Sequence, residues 1–210
     1  MKSKRTYRIE ACVESLEQAE LAVTNGADQI ELCSSLHLDG LSPSMKLVER
    51  CLASLPVLVK VMLRPLPGDF KLSETIFHKI HQEVRQLKNQ GVKEVVFGFL
   101  NDKQVLDIEA IKRVADLVYP MDITIHKAID RSLEPLKDIE RLKSIRGIKS
   151  ILSSGSAPTA LLGASRLTEM QAIASNEIQI IGAGKITSTN LNQIHEALGL
   201  SCYHGRKITG

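Results

Sequence analysis

The chain has 210 residues, 43% of them hydrophobic but only 3% aromatic, with 27 basic and 24 acidic side chains and a net charge of +3. Such a core must be aliphatic, which favours helices packed on a parallel sheet over an aromatic-rich β-sandwich. The charges are interspersed, no apolar run approaches the ~18 residues of a membrane helix, and no export signal is visible, so nucleic acid and membrane are not expected as partners and the cytoplasm is the expected location.

Taken in order, residues 7–13 read as a strand, and Ser15 caps a helix that carries Leu16, Ala19, Ala22 and Val23 on one face and ends at Asn25-Gly26. Residues 29–33 form a second strand. Ser42-Pro43 opens a helix to about residue 53, with proline in its first turn. Residues 57–64 are apolar almost throughout, as buried parallel strands are. Ser73 caps a long helix to residue 89. Strands are then expected at 94–100, 122–129, 150–154, 178–181 and 202–204, and helices at 107–118, 134–144, 166–174 and 189–198.

Eight strands in strict alternation with seven helices imply parallel strands and crossover helices. The expected fold is a single-domain (β/α)8 TIM barrel lacking the last helix, with an open doubly wound sheet as the alternative. The four cysteines form no C-x-x-C pair and are expected as reduced thiols.

Active sites of such barrels lie at the C-terminal ends of the strands. Glu-x-Cys occurs there twice, as Glu10-Ala11-Cys12 and Glu31-Leu32-Cys33. Residues two apart on a strand point the same way, so two carboxylates and two thiols should converge on one rim. Arg64, ending the third strand, is positioned to bridge one carboxylate and keep it ionised, leaving the other free to move a proton. The alternative is a structural Glu–Arg–Glu network. His126 is a candidate general base or metal ligand, while Asp130 is expected to cap the loop or orient Lys127 or Arg131. Cys12 and Cys33 could bind a soft metal such as Cu(I), with Met62 or His126 beside them, or could be small core residues. Ser154-Gly155, Gly182-Ala183-Gly184 and His204-Gly205 follow the last three strands and could cradle an anion with backbone N–H groups. The glycines could equally serve only to make tight turns.

The order Glu10-Ala11-Cys12, Glu31-Leu32-Cys33-Ser34, Gly40-Leu41-Ser42-Pro43-Ser44, Met62-Leu63-Arg64-Pro65, Gly68-Asp69-Phe70, Val96-Phe97-Gly98, His126-Lys127-Ala128-Ile129-Asp130, Ser153-Ser154-Gly155 and His204-Gly205 resembles the CutC family over nearly the whole chain. That resemblance implies a cytoplasmic TIM-barrel protein linked to copper homeostasis, copper as a bound ion and a dimeric state. Two departures stand out: Lys185 replaces a glycine of the family's run after strand seven, and Lys127 replaces an arginine after the strand-five histidine.

Two functions are therefore expected in competition. One is copper binding at the barrel mouth through Cys12 and Cys33. The other is an enzyme acting on a small phosphorylated or carboxylated metabolite, with Glu10 or Glu31 and His126 sharing acid–base work and Arg64 holding the anion. No organic cofactor is indicated. The missing helix should leave a groove beside strands eight and one, lined by Tyr7 and Tyr203, and the expectation is a homodimer that buries it or in which the N-terminal segment folds across it, the alternative being a monomer in which residues 2–7 and 206–210 cover it.

Overall fold

The computed structural model describes residues 5–210. Its elements run β1 (Arg8–Val13), α1 (Leu16–Thr24), β2 (Gln29–Leu32), α2 (Met45–Ser54), β3 (Leu58–Met62), α3 (Glu74–Asn89), β4 (Glu94–Phe97), α4 (Ile108–Val118), β5 (Asp122–Ile125), α5 (Pro135–Leu142), β6 (Ile148–Ser153), α6 (Ala164–Ala174), β7 (Gln179–Gly182), α7 (Leu191–Leu198) and β8 (Cys202–Gly205). Each strand pairs in parallel with the next, and β8 pairs with β1, so the sheet closes. The fold is a TIM barrel in which no helix follows β8 among the described residues.

Side chains that accept a backbone N–H set most helix starts. Ser15 receives the N–H of Gln18, Ser73 that of Ile76 and Asp107 that of Ala110. The cap of α2 is Ser44, not Ser42, so Pro43 lies ahead of the helix rather than in its first turn. Strand β5 is shorter than the sequence suggests. The imidazole of His126 accepts the N–H of Ala128 and starts a 3-10 turn, Lys127–Arg131, where an extended chain was expected.

Residues alternate across every strand. Ile30, Leu32, Val59, Val61, Val95, Phe97, Ile123, Ile125 and Ile151 are buried in the aliphatic core that the helices complete. The opposite parity is polar over the lower half of the lumen: Glu10, Gln29, Lys60, Glu94, Thr124 and Ser150 are all buried. Lys60 Nζ lies 3.0 Å from both Glu10 and Glu94 and donates to Thr124 at 3.1 Å. Gln29 donates to Glu10 at 2.6 Å, and Thr124 donates to Glu94 at 2.5 Å. A lumen usually filled by Val, Ile and Leu is held here by a satisfied ionic network.

The expected groove beside β8 and β1 is filled from within the chain. Tyr203 is fully buried. The Tyr7 ring packs edge-on against it at 5.3 Å and lies 4.3 Å from His195 of α7, and His195 Nδ1 sits 3.0 Å from the Tyr203 hydroxyl.

Candidate functional site

The upper half of the lumen changes character. Strand stagger pairs Glu10 with Gln29 and Cys12 with Glu31, so Glu31 stands level with Cys12, one layer above Glu10. On the other side Glu10 pairs with His204. The result is two stacked groups of ionisable side chains, the lower sealed and the upper facing a cavity.

His204 joins the two layers. Its Nδ1 lies 2.9 Å from Glu10 and 3.2 Å from Glu31. Burial opposes a charged imidazole, but the carboxylate of Glu31 and the Cys12 and Glu10 contacts raise its pKa well above the usual range, so it is an imidazolium. Glu10 is ionised: burial works against this, yet Lys60 and His204 hold its pKa down to about 2. Glu31 goes the other way, pushed up to about 8 by burial and by the charge of Cys12, with His204 opposing. Two carboxyls that share one imidazole thus differ in protonation because Lys60 contacts Glu10 directly and acts on Glu31 only from farther off, while Glu31 stands beside the Cys12 charge.

The sulfurs of Cys12 and Cys33 are 3.8 Å apart. Cys12 is pulled down to about 5 by the hydrogen bond from Cys33, against burial and with His204 assisting, while Cys33 is raised well above the usual thiol range. They form a small apolar cluster with Met62 and Val96, against which Leu36 packs. Gly40 borders the cluster with φ +84°, a backbone conformation that favours glycine, and a Cβ there would meet the Cys33 sulfur and the Met62 methyl at ordinary contact distance. Cys12, Glu31 and Cys33 offer ligand atoms all within 4.8 Å of one another, and so do Glu10, Glu31 and His204. These two sets share Glu31.

Above the thiols opens a cavity of about 820 Å³. Cys12, Glu31, Cys33, His126, Ser154, Gly184, His204 and Gly205 line it, whereas Glu10, Arg64, Gly155 and Gly182 do not.

Arg64 departs from the expectation. Its guanidinium donates to the carbonyls of Leu38, Gly40 and Gly68 and lies over the Phe70 ring at 4.6 Å. It ties two loops together and touches neither glutamate. The residue that bridges Glu10 is Lys60, and the one that bridges Glu10 to Glu31 is His204. Lys60 left a readable signal: it is two residues before Met62 and so shares Met62's inward parity, a charge inside an otherwise apolar strand.

His126 is neutral, pushed down to about 3 by burial and then by the Arg64 charge. Its Nδ1 is engaged by Ala128, its ring packs on Phe70 at 4.7 Å, and a Cβ on Gly98 would meet it at 3.0 Å. It is a structural cap that lines the cavity, and the Glu–His pairing falls to His204.

The glycines divide by role. A Cβ on Gly155 would stand 2.3 Å from the Gly163 carbonyl, and one on Gly205 would stand 2.4 Å from that of Ile186. Gly182 lies against Leu200 and Tyr203. The first two permit close backbone approach, and Gly182 makes room for the two side chains. The N–H groups after β6 are already spent on an internal anion: Asp130 accepts from Ser154 N at 2.9 Å and Ser156 N at 2.9 Å, from the hydroxyls of Ser153 and Ser154 and from Lys127. Burial opposes ionisation of Asp130, and Lys127 and these donors lower its pKa. The first of the three loops of the expected anion cradle is therefore closed.

Fold and site together define a class: a TIM-barrel protein whose mouth carries paired thiols beside a Glu–His–Glu triad over a sealed ionic lumen. The family model described as the CutC family matches residues 7–209, and the chain belongs to that family. It is 33% identical over 196 residues to the family protein CutC of Mesorhizobium japonicum, covering 93% of this chain and 76% of that one. It is 33% identical over 198 residues to the human copper homeostasis protein cutC homolog, covering 94% and 72%. A CutC crystal structure from Streptococcus agalactiae superposes with a TM-score of 0.91 at 23% identity, covering 96% of this chain and 99% of that one.

Proposed function

We propose that this chain serves copper homeostasis by binding copper as Cu(I) at the barrel mouth, through Cys12 and Cys33. The observation that carries this reading is the thiol pair, 3.8 Å apart in an apolar setting with the Met62 thioether in the same cluster. Soft sulfur donors select Cu(I). A metal–sulfur bond is about 2.3 Å, so one ion spans sulfurs at this separation. Cys12 is a thiolate at neutral pH, which removes the proton that a metal would otherwise have to displace. Free thiols also suit the reducing cytoplasm. The names of the family relatives point the same way. The test is titration of reduced protein with Cu(I) against a chromogenic chelator. One ion per chain is expected, and Cys12→Ser with Cys33→Ser should abolish binding; unchanged stoichiometry and affinity would sink the site.

A second reading is an enzyme that moves protons with Glu31 and His204. It is favoured by one observation: a carboxyl pushed up to about 8 faces the cavity beside a charged imidazole. Such a pair is poised to give or take a proton near neutral pH. Turnover of any substrate should then vanish in Glu31→Gln.

A further inference from the structure

Five cationic side chains line the mouth: Lys127, Arg131, Lys185, Arg206 and Lys207. Three acidic side chains stand against these and the His204 imidazolium, and each already has a partner. Lys127 pairs with Asp130, Arg131 with Asp39 at 3.4 Å, and Glu31 with His204 at 3.2 Å. Among the described residues, Lys185, Arg206 and Lys207 have no carboxylate within ion-pair distance. The uncompensated charge is therefore confined to one side of the mouth, the loops after β7 and β8.

The backbone there is shaped to match. Gly184 and Lys185 both have positive φ, +105° and +55°. L-residues other than Gly, Asn and Asp avoid that region, so Lys185 occupies a position that glycine would hold more easily. The turn is pinned from below, because a Cβ on Gly184 would lie 2.8 Å from Ser154 Cβ and 3.0 Å from Ala160 N. The N–H groups of Gly184 and Lys185 have no acceptor within the chain among the described residues. The remaining walls are largely apolar, with Met62, Phe70, Leu152 and Ile186 among them. A volume of about 820 Å³ falls within the usual span for small-molecule sites.

We propose that the mouth binds a small organic anion. Its phosphate or carboxylate is held by Lys185, Arg206 and Lys207, and its less polar body lies along Met62, Phe70, Leu152 and Ile186, facing Glu31 and His204. This site is independent of copper, since it uses neither thiol, and it supplies the enzyme reading with a substrate class. Bulk water competes for an exposed lysine, and Arg206 already donates one N–H to the Leu36 carbonyl, but its remaining donors together with Lys185, Lys207 and the N–H groups of the turn make a charge-assisted site for an oxyanion.

The test is calorimetry on chelator-treated, reduced full-length protein. The probes are phenyl phosphate, benzoate, inorganic phosphate and phenol. Saturable binding of phenyl phosphate or benzoate is expected, with the tighter of the two identifying the anion. Inorganic phosphate should bind more weakly than phenyl phosphate, and phenol should not bind measurably. Lys185→Gly combined with Lys207→Ala should weaken the anion at least about tenfold, equivalent to 1.4 kcal/mol. Lys185→Gly relieves a backbone strain, so its melting temperature should not fall, and lost binding cannot be blamed on misfolding. Cys12→Ser with Cys33→Ser should leave anion binding intact, even though it removes the copper reading above. Absence of saturable binding up to about 10 mM, or unchanged affinity in the lysine variants, overturns the proposal. Binding that is lost in the cysteine variants but kept in the lysine variants overturns it too, placing the anion on the thiols.

Discussion

Lys60 Nζ lies 3.0 Å from Glu10 Oε2 in the closed interior of the barrel, with side chains 3% and 1% exposed. A charge so placed is tolerated only because its partners are fixed around it, and Glu94 completes the arrangement on the next strand. Replacing Lys60 by Met leaves Glu94 buried without a counter-charge and Glu10 with the His204 imidazolium alone. The cost expected is about 3–5 kcal/mol, read as a drop in the urea midpoint. A variant as stable as the parent would show that the network contributes only register.

The pH profile of stability should carry two opposing signatures. Glu10 has a folded pKa of about 2 against an ordinary value of 4.5. A depressed carboxyl contributes stability that is present above the unfolded value and lost as pH falls from there toward 2. Glu31 is raised to about 8 from 4.5. Between those values the folded state binds the extra proton, so stability declines as pH rises. Glu31→Gln should remove up to about 1.4 kcal/mol per pH unit of that decline and be more stable than the parent at pH 8. Urea denaturation at pH 5 and pH 8 measures it, and parallel profiles for both proteins would contradict the assignment.

Thiol reactivity should single out Cys12. It lines the cavity and its pKa is pulled down to about 5, whereas Cys202 is fully buried and pushed up to about 12, by burial first. Iodoacetamide at neutral pH should alkylate Cys12 well before Cys51 or Cys202, as followed by peptide mass spectrometry. Cys33→Ala removes the thiol donor, so the pH at half-maximal rate should move up. A rate that rises only above pH 8 in the parent would refute a thiolate at Cys12.

Asp130→Asn should open the loop after β6. The carboxylate accepts from two backbone N–H groups and two hydroxyls and pairs with Lys127, and an amide offers half the acceptors while adding donors. The loss expected is about 2–3 kcal/mol, with faster hydrogen exchange at Ser154 and Ser156 as the local readout. Protection unchanged at both amides would mean that the loop holds itself.

Much of this protein was readable one residue at a time. Alternating apolar runs and serine caps gave the strands and helices, and seven such units closed by an eighth strand gave the barrel. Glu-x-Cys, repeated at the ends of two neighbouring strands, gave the thiol pair, because side chains two apart on a strand share a face whatever the rest of the chain does. The identities of the glutamates' partners were another matter. Arg64 follows its strand's end and looked aimed inward, but its guanidinium satisfies three loop carbonyls instead. Lys60 sat in view inside an apolar strand, yet only barrel closure, which brings β1, β3 and β4 around one lumen, shows that two carboxylates wait for it. His204 reaches Glu10 because β8 pairs with β1, a contact 194 residues apart in sequence. Local propensity and side-chain parity are properties of neighbouring residues, so sequence alone determined them. Which charges neutralise one another depends on strand stagger and closure, and only the tertiary structure decided that.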